Sequence, residues 1–186
     1  MCEQKGRGTV FFKIEVVPLE NINENKLKPE SRRDMRSLAF HFIYAVDRSD
    51  YTTTLDSVVE NFRKGFEIEI EDNSVAIKMA KGAIENREKL DEQIKPLLRN
   101  WRIERLGCCT RLILRLAIWE LQQPDAVPSI VINEAIELAK NFAEKDAYKF
   151  INGILDEASK KLFPKKEKKE NNESSRKNRE SKESPE

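Results

Sequence analysis

The feature of this chain that most restricts its fold is an almost uniformly apolar stretch within residues 104–122. It is centred on the sequence CCTRLILRLAIWELQ, and at about 100° per residue its apolar side chains surround the helix axis. A helix that is hydrophobic all round has to be enclosed by other elements. No apolar run in the chain reaches the length of a membrane span. We therefore predict that this helix is the buried centre of a helical bundle.

The residues before this stretch have helical periodicity. Ser31 and Asp34 form a capping-box pattern that opens a first helix just after Pro29. The inward stripe of that helix consists of Met35, Leu38, Ala39, Phe42, Ile43 and Val46. A second helix is predicted from near Leu55 to Lys64, and the short alternating segment GFEIEIED that follows is interpreted as a connector.

Further helices are predicted on both sides of the apolar stretch. Residues 73–100 break into two helices near Asn86, and the later one ends around Pro96. Their inward residues are Val75, Met79, Ala83 and Leu90. Pro124 and Pro128 end the apolar helix and frame the start of the next one. About seven helices with short connections predict an all-α domain.

The last predicted helix has two faces of different character. One is an ordinary core stripe of Ala147, Ile151, Ile154, Leu155, Ala158 and Leu162. The opposite face carries Asp146, Lys149, Phe150 and Gly153. A solvated helix face is normally charged and rich in good helix formers, whereas this one has an aromatic ring and a glycine that costs about 1 kcal/mol relative to alanine. The pattern predicts that a ligand or a partner docks on this second face of the helix.

Composition separates the folded domain from its two ends. The chain has 186 residues, of which 36% are charged and 39% apolar, and only 6 are glycines, which favours a helical domain. We predict that this domain spans residues 31–163. Residues 1–30 are interpreted as a loosely ordered extension. Residues 164–186, with eight Lys/Arg, six Asp/Glu and no aliphatic or aromatic side chain, are predicted to be a disordered charged tail.

The first helix carries a second face that suits single-stranded RNA. Arg33, Arg36, Phe40 and Tyr44 lie together on the helical wheel, and Arg32 lies at the border. Guanidinium groups bind phosphates, and aromatic rings stack on unpaired bases. Alternatively, the two aromatic side chains form a second core face and the arginines are simply solvated. The net charge of +1 gives no general attraction for nucleic acid, so an RNA site has to be local.

Catalysis is not favoured by the residues present. The only histidine, His41, has no nucleophile near it in sequence, and the phosphate-binding, dinucleotide-binding and zinc motifs are absent. Glu134 and Glu137 are interpreted as acidic residues favoured by a helix dipole rather than as a catalytic pair. Cys108 and Cys109 are adjacent and form neither a disulfide framework nor a spaced metal motif, which fits a reducing cytoplasm. We expect no cofactor, no metal and no enzymatic activity.

Three blocks of the sequence resemble the NusB family of transcription antitermination factors. They are SRRDMRSLAFHFIYAVD, ILRLAIWEL followed by a VP turn, and VPSIVINEAIELAKNFAEKDAYKFINGILDEA, and together they cover about residues 31–163. The resemblance implies two small helical bundles packed against each other. It also implies binding of boxA RNA in nascent rRNA transcripts together with ribosomal protein NusE, within an RNA polymerase elongation complex containing other Nus factors.

The resemblance also implies roles for individual residues. The implied RNA-binding residues are Arg32, Arg33, Arg36, Lys149, Phe150, Asn152 and Gly153. Asp146 matches an acidic position at the same site, and Tyr44 matches a tyrosine near the NusE surface. Leu97 stands where some relatives carry a tyrosine available to RNA, and Thr110 stands where an acidic residue can serve the NusE interface.

Two readings of the exposed faces remain open at this point. As an RNA site, Arg32, Arg33, Arg36 and Lys149 would neutralise roughly four phosphates and give a salt slope of about −3. That is weak binding, which a partner such as NusE would strengthen. In the alternative, the same faces form an RNA-independent protein-interaction scaffold or a homodimer interface.

Overall fold

The computed structural model describes residues 31–66, 69–99 and 101–163, and within them the protein is all-α. Two short 3-10 turns, Lys95–Leu97 and Ile103–Arg105, lie between the fourth and fifth helices. The seven α-helices are α1 Arg32–Arg48, α2 Leu55–Phe66, α3 Val75–Glu85, α4 Arg87–Ile94, α5 Cys108–Leu121, α6 Pro128–Phe142 and α7 Ala147–Leu162. The predicted extension 1–30 and tail 164–186 lie outside the described residues.

Local sequence signals account for several of the helix ends. The Ser31 hydroxyl accepts a hydrogen bond from the Asp34 backbone N–H at 3.0 Å, and the Asp34 carboxylate accepts one from the Ser31 N–H at 3.1 Å. This confirms the predicted capping box. Asn86 separates α3 from α4 as predicted, and its side chain donates to the Gly82 carbonyl at 2.8 Å. Pro128 is the first residue of α6, where its missing N–H costs nothing.

Helix α5 is the buried centre, as its sequence predicted. Seven consecutive residues, 112–118, are buried, and α5 contacts α1, α3, α4, α6 and α7. The helices form two contacting groups, α1–α3 and α4–α7. Helix α5 belongs to the second group and joins it to the first through its contacts with α1 and α3. None of the helices in the described part of the chain is both long and apolar enough to cross a membrane.

Buried charges also tie the helices to α5. The Arg115 guanidinium donates to both carboxylate oxygens of Asp91 in α4, each at 2.7 Å. The Arg115 Nη1 atom also donates to the Tyr51 hydroxyl at 3.0 Å. Because a buried arginine is costly unless its hydrogen-bonding groups are satisfied, these bonds fix the position of α4 on α5.

Two residues predicted to point inward are exposed. Val75 is 37% exposed and Leu162 is 42% exposed. Val75 is the first residue of α3 and Leu162 is the last of α7. Helical periodicity gives the direction of a side chain but not where the neighbouring helix ends, so both predictions were wrong at a helix terminus.

Candidate RNA interface

The arginines of α1 lie at different depths. Arg36 is buried, and its guanidinium donates to the Glu120 carboxylate in α5 at 2.8 Å from Nε and 2.6 Å from Nη2. Glu120 is buried as well. The expectation of an exposed Arg36 that binds phosphate therefore needs correction, because its charge is already satisfied inside the protein.

Arg33 points outward, with 66% of its side chain exposed. Its guanidinium makes a bidentate pair with Glu134 of α6, with distances of 3.0 Å from Nε to Oε2 and 2.9 Å from Nη2 to Oε1. Glu134 also lies 3.9 Å from Arg36 Nη1, so it is held between the two arginines. It lies beyond the first turn of α6, so these ion pairs explain the residue better than the helix dipole does. Arg32 is exposed too and lies 3.3 Å from Asp125.

The aromatic residues of α1 belong mainly to the core. Phe40 is buried and stacks on Phe142 of α6, with ring centroids 4.9 Å apart. The alternative of a second core face is therefore the correct one for Phe40, and Tyr44 is half-buried beside it. His41 packs edge-on against Phe142, and burial lowers its pKa to about 4.

The start of α7 exposes most of the residues predicted there. Lys149 Nζ lies 2.8 Å from an Asp146 carboxylate oxygen, and both side chains are largely exposed. Asp146 precedes the helix with a left-handed backbone (φ 66°), a conformation that Asp tolerates better than most residues. Asn152 and Gly153 are exposed, and a methyl group at Gly153 would meet no atom within 4 Å. Phe150 is half-buried.

A chain of contacts along α6 connects these two predicted halves. Lys140 Nζ lies 2.6 Å from Glu137, whose carboxyl pKa is lowered first by that lysine and further by the charge of Arg33. The ammonium groups of Lys140 and Lys149 lie 5.9 and 5.6 Å from the ring centroid of Tyr148. We name this surface the α1–α6–α7 strip, comprising Arg33, Glu134, Glu137, Lys140, Tyr148 and Lys149.

Sequence reasoning missed Lys140 and Tyr148. Lys140 ends the INEAIELAK block and Tyr148 directly precedes Lys149, so both were inside quoted motifs. Only the docking of α7 on α6 shows that the lysine and the ring are neighbours, because seven residues, including the turn between the two helices, separate them in sequence.

Leu97 and Thr110, the two residues that depart from the family pattern, are both buried. Leu97 is buried in a 3-10 turn, so it presents no side chain to a ligand. The buried Thr110 hydroxyl donates to the Glu144 carboxylate at 2.6 Å. Glu144 comes from the turn between α6 and α7, and it also packs against Gly107 at the start of α5. A negative charge near a helix N-terminus is favourable, so this contact holds the turn on α5.

The described residues offer little for catalysis. They contain no group of three or more His, Cys, Asp or Glu side chains placed to hold a metal ion. Burial, together with the nearby Asp47 carboxylate, raises the pKa of the Cys108 thiol to about 12. Cys109 also has a raised pKa, mainly through burial. Neither sulfur is an activated thiolate at neutral pH.

Comparison with known proteins identifies the class of protein to which this helical chain belongs. The NusB family model matches residues 33–160. Transcription antitermination protein NusB of Geotalea uraniireducens is 41% identical over 144 residues, covering 74% of this chain and 99% of that protein. The Staphylococcus haemolyticus protein of the same name is 38% identical over 125 residues, covering 67% and 96%. The chain belongs to the NusB family.

Solved structures of the family share the fold. NusB of T. maritima superposes with a TM-score of 0.61 at 31% identity, covering 70% of this chain and 92% of that one. A crystal structure of the antitermination factors NusB and NusE in complex with dsRNA matches with a TM-score of 0.60 at 27% identity, covering 70% and 96%.

Proposed function

We propose that this chain is a transcription antitermination factor that binds boxA-type RNA in nascent rRNA transcripts together with ribosomal protein NusE. In this role it would join other Nus factors on the RNA polymerase elongation complex, suppress premature termination and support rRNA synthesis. Membership of the NusB family supports the proposal, as does the similarity to a NusB–NusE structure that contains RNA. The nascent transcript is the site of action, so we expect a cytoplasmic protein without catalytic activity.

The single observation that carries the RNA role is the α1–α6–α7 strip. Arg33 and Lys149 come from opposite ends of the domain's sequence, yet contacts through Lys140 and Tyr148 make them parts of one exposed surface. Glu134 and Lys140 are six residues apart, which is about 9 Å along the α6 axis. The strip continues past these two residues to Arg33 and Lys149, so it offers an extended single strand a path at least this long.

The cations of the strip and the residues beside it have distinct proposed roles. Arg32, Arg33, Lys140 and Lys149 would bind phosphates, and Phe150 would stack on a base. The amide of Asn152 would bond a base edge, and the missing side chain of Gly153 would let RNA approach the helix. Arg36 acts indirectly, because it anchors α1 on Glu120 and helps to hold Glu134 beside Arg33.

Acidic residues in the strip and beside it limit its affinity for RNA. Glu134 holds Arg33, and Asp146 holds Lys149, so a phosphate has to share or replace a carboxylate at each cation. Four phosphate contacts imply a single-strand salt slope of about −3. We infer that a second RNA-binding protein, NusE, supplies the rest of the affinity by holding a neighbouring part of the same strand.

The test is RNA binding by the full-length chain with and without NusE. Fluorescence anisotropy of a labelled single-stranded boxA oligonucleotide should show weak binding to the chain alone and tighter binding when NusE is present. A scrambled oligonucleotide and a duplex of the same sequence are the controls for specificity. A 31–163 fragment that binds like the full chain would support the proposed domain limits.

The rival function is a protein scaffold or homodimer that does not need RNA. Exposed Val127 and Ile130, which follow Asp125 closely in sequence, are the apolar side chains that would favour it. Sedimentation velocity in the presence of the oligonucleotide separates the two functions. A stable dimer that RNA neither binds nor dissociates would favour the scaffold and contradict the RNA proposal.

A further inference from the structure

Trp101 is an exposed aromatic residue that the proposed RNA site does not yet explain. It is 59% exposed, the highest value among the large hydrophobic side chains of the described residues. Its backbone N–H donates to the Leu98 carbonyl at 2.8 Å, and buried Leu98 and Ile103 anchor the chain on either side. The backbone is thus fixed by the core while the indole is directed outward.

The indole lies against the proposed RNA site. Its ring centroid is 6.5 Å from that of Phe150, and the ring planes meet at 62°. In such an edge-to-face pair only one of the four ring faces is covered by the partner ring. Because Trp101 is largely exposed, the pair leaves indole surface free next to the start of α7, where Lys149 is exposed.

Several exposed cations lie close to this pair in sequence. Arg99 and Arg102 flank Trp101 in sequence and are exposed, as is Lys145 before α7. Arg99 lies 3.7 Å from Glu157, while no carboxylate of the described residues lies within salt-bridge distance of Arg102. Glu104, Glu144 and Asp146 are the nearby acidic residues in sequence. Exposed rings among cations are the features with which proteins bind unpaired bases and their phosphates.

An apolar protein partner fits this place less well. The other large exposed hydrophobic side chains are Val75, Val127, Ile130, Leu162 and Phe163. None of them belongs to this turn or to the start of α7, so they do not extend the pair into a broad apolar patch. A protein interface normally has an apolar centre of several such residues.

We propose that Trp101 and Phe150 form a stacking site for an unpaired RNA base, and that Arg99 and Arg102 bind the phosphates next to it. This inference rests on the proposed RNA function and extends it, because it carries the RNA path beyond Lys149 onto the turn before α5. The site recognises a flat, unstacked base and gives no base-specific hydrogen bond, so it contributes affinity for single strands over duplexes.

The experiment compares Trp101→Leu and Trp101→Phe in the full-length chain, using the single-stranded boxA oligonucleotide with NusE. Trp101→Leu should weaken RNA binding about tenfold, whereas Trp101→Phe should retain most of the affinity. Because stacking releases no counterions, the salt slope should not change in either variant. Phe163→Ala removes another exposed ring about 20 Å further along α7 and should bind like the wild type.

Tryptophan fluorescence gives a second, direct readout. The chain has two tryptophans, and the other one, Trp119, packs against Gly82. RNA should quench the emission of Trp101, which the Trp101→Leu variant lacks. The emission of Trp119 should not change. An oligonucleotide with one abasic nucleotide at the stacked position should bind wild type and Trp101→Leu equally.

The possible failures are distinguishable. Wild-type affinity in Trp101→Leu, combined with weakened binding in Lys149→Ala, would overturn the stacking site and leave the RNA function intact. Loss of NusE binding in Trp101→Leu without RNA present would assign the indole to a protein contact and overturn the inference. Failure of the wild-type chain to bind RNA at all would overturn both the inference and the proposed function.

Discussion

The interior of the α1–α5–α6 contact and the exposed α1–α6–α7 strip use the same kinds of residue for different purposes. Inside, Arg36 is neutralised by Glu120 and Phe40 stacks on Phe142. Outside, Arg33 is held by a partly buried carboxylate but keeps its guanidinium exposed, and the ring of Tyr148 lies near two lysines. Depth, rather than residue type, separates the side chains that hold the fold from those available to a ligand.

The strongest way to test this difference is to remove the buried arginine. Arg36→Ala should lower the free energy of unfolding by about 3–5 kcal/mol, because it leaves the Glu120 carboxylate buried without a partner. Urea denaturation followed by circular dichroism measures this. Replacing both partners with apolar residues, as Arg36→Met with Glu120→Leu, should recover most of the loss. Arg33→Ala should leave the unfolding midpoint nearly unchanged, and equal losses in the two arginine variants would contradict the assignment.

The half-buried histidine beside the interior predicts a pH effect. The folded-state pKa of His41 is about 4, while an unfolded histidine has a pKa of about 6.5, so the unfolded chain binds the proton first as pH falls. His41 therefore lowers the stability as pH falls from about 6.5 to 4, by a total on the order of 3 kcal/mol. Comparing unfolding free energies of wild type and His41→Phe over this range isolates the effect from that of the carboxylates. Parallel pH profiles would show that His41 does not titrate as proposed.

Alanine substitutions at two helix glycines, Gly82 and Gly153, test the same difference between interior and surface, with a smaller expected effect on stability. At Gly82 an added methyl group would collide with the ring of Trp119, whereas at Gly153 it would enter open space. Gly82→Ala should destabilise the protein by about 1–3 kcal/mol. Gly153→Ala should stabilise it by up to about 1 kcal/mol, because alanine is the better helix former. If Gly153 admits RNA, the same alanine should weaken RNA binding despite the gain in stability.

The smallest expected effect concerns the carboxylate that holds Lys149. Asp146→Asn removes a charge that competes with phosphate, while asparagine tolerates the same left-handed backbone. RNA binding should become modestly tighter, and the helical circular dichroism should not change. No gain in affinity would remove Asp146 from the proposed site.

Sequence predicted the features that depend on nearby residues. Ser31 caps α1 through Asp34, Asn86 separates α3 from α4, and the apolar circumference of α5 placed that helix in the centre. These signals act within a few residues or follow from helical periodicity, so no tertiary information was needed.

The depth of the arginines could not be predicted in this way. Arg36 is buried because Glu120, 84 residues later, lies opposite it, while Arg33 meets Glu134, 101 residues later. Likewise, Lys140 and Tyr148 become neighbours only when α7 packs on α6. Which residue of a polar face is covered depends on the angle and length of the neighbouring helix, and a helical wheel contains neither.

The most direct test of the central claim is the salt dependence of RNA binding in charge variants matched for position. Arg33→Ala and Lys149→Ala are compared with Arg48→Ala at the other end of α1 and Lys160→Ala at the other end of α7. The controls are exposed cations about 22 and 16 Å further along the same helices. Each strip variant should weaken binding of the boxA oligonucleotide and reduce the salt slope by about 0.7, while the controls keep the wild-type slope of about −3. Wild-type slopes in both Arg33→Ala and Lys149→Ala would contradict the assignment of the strip to RNA.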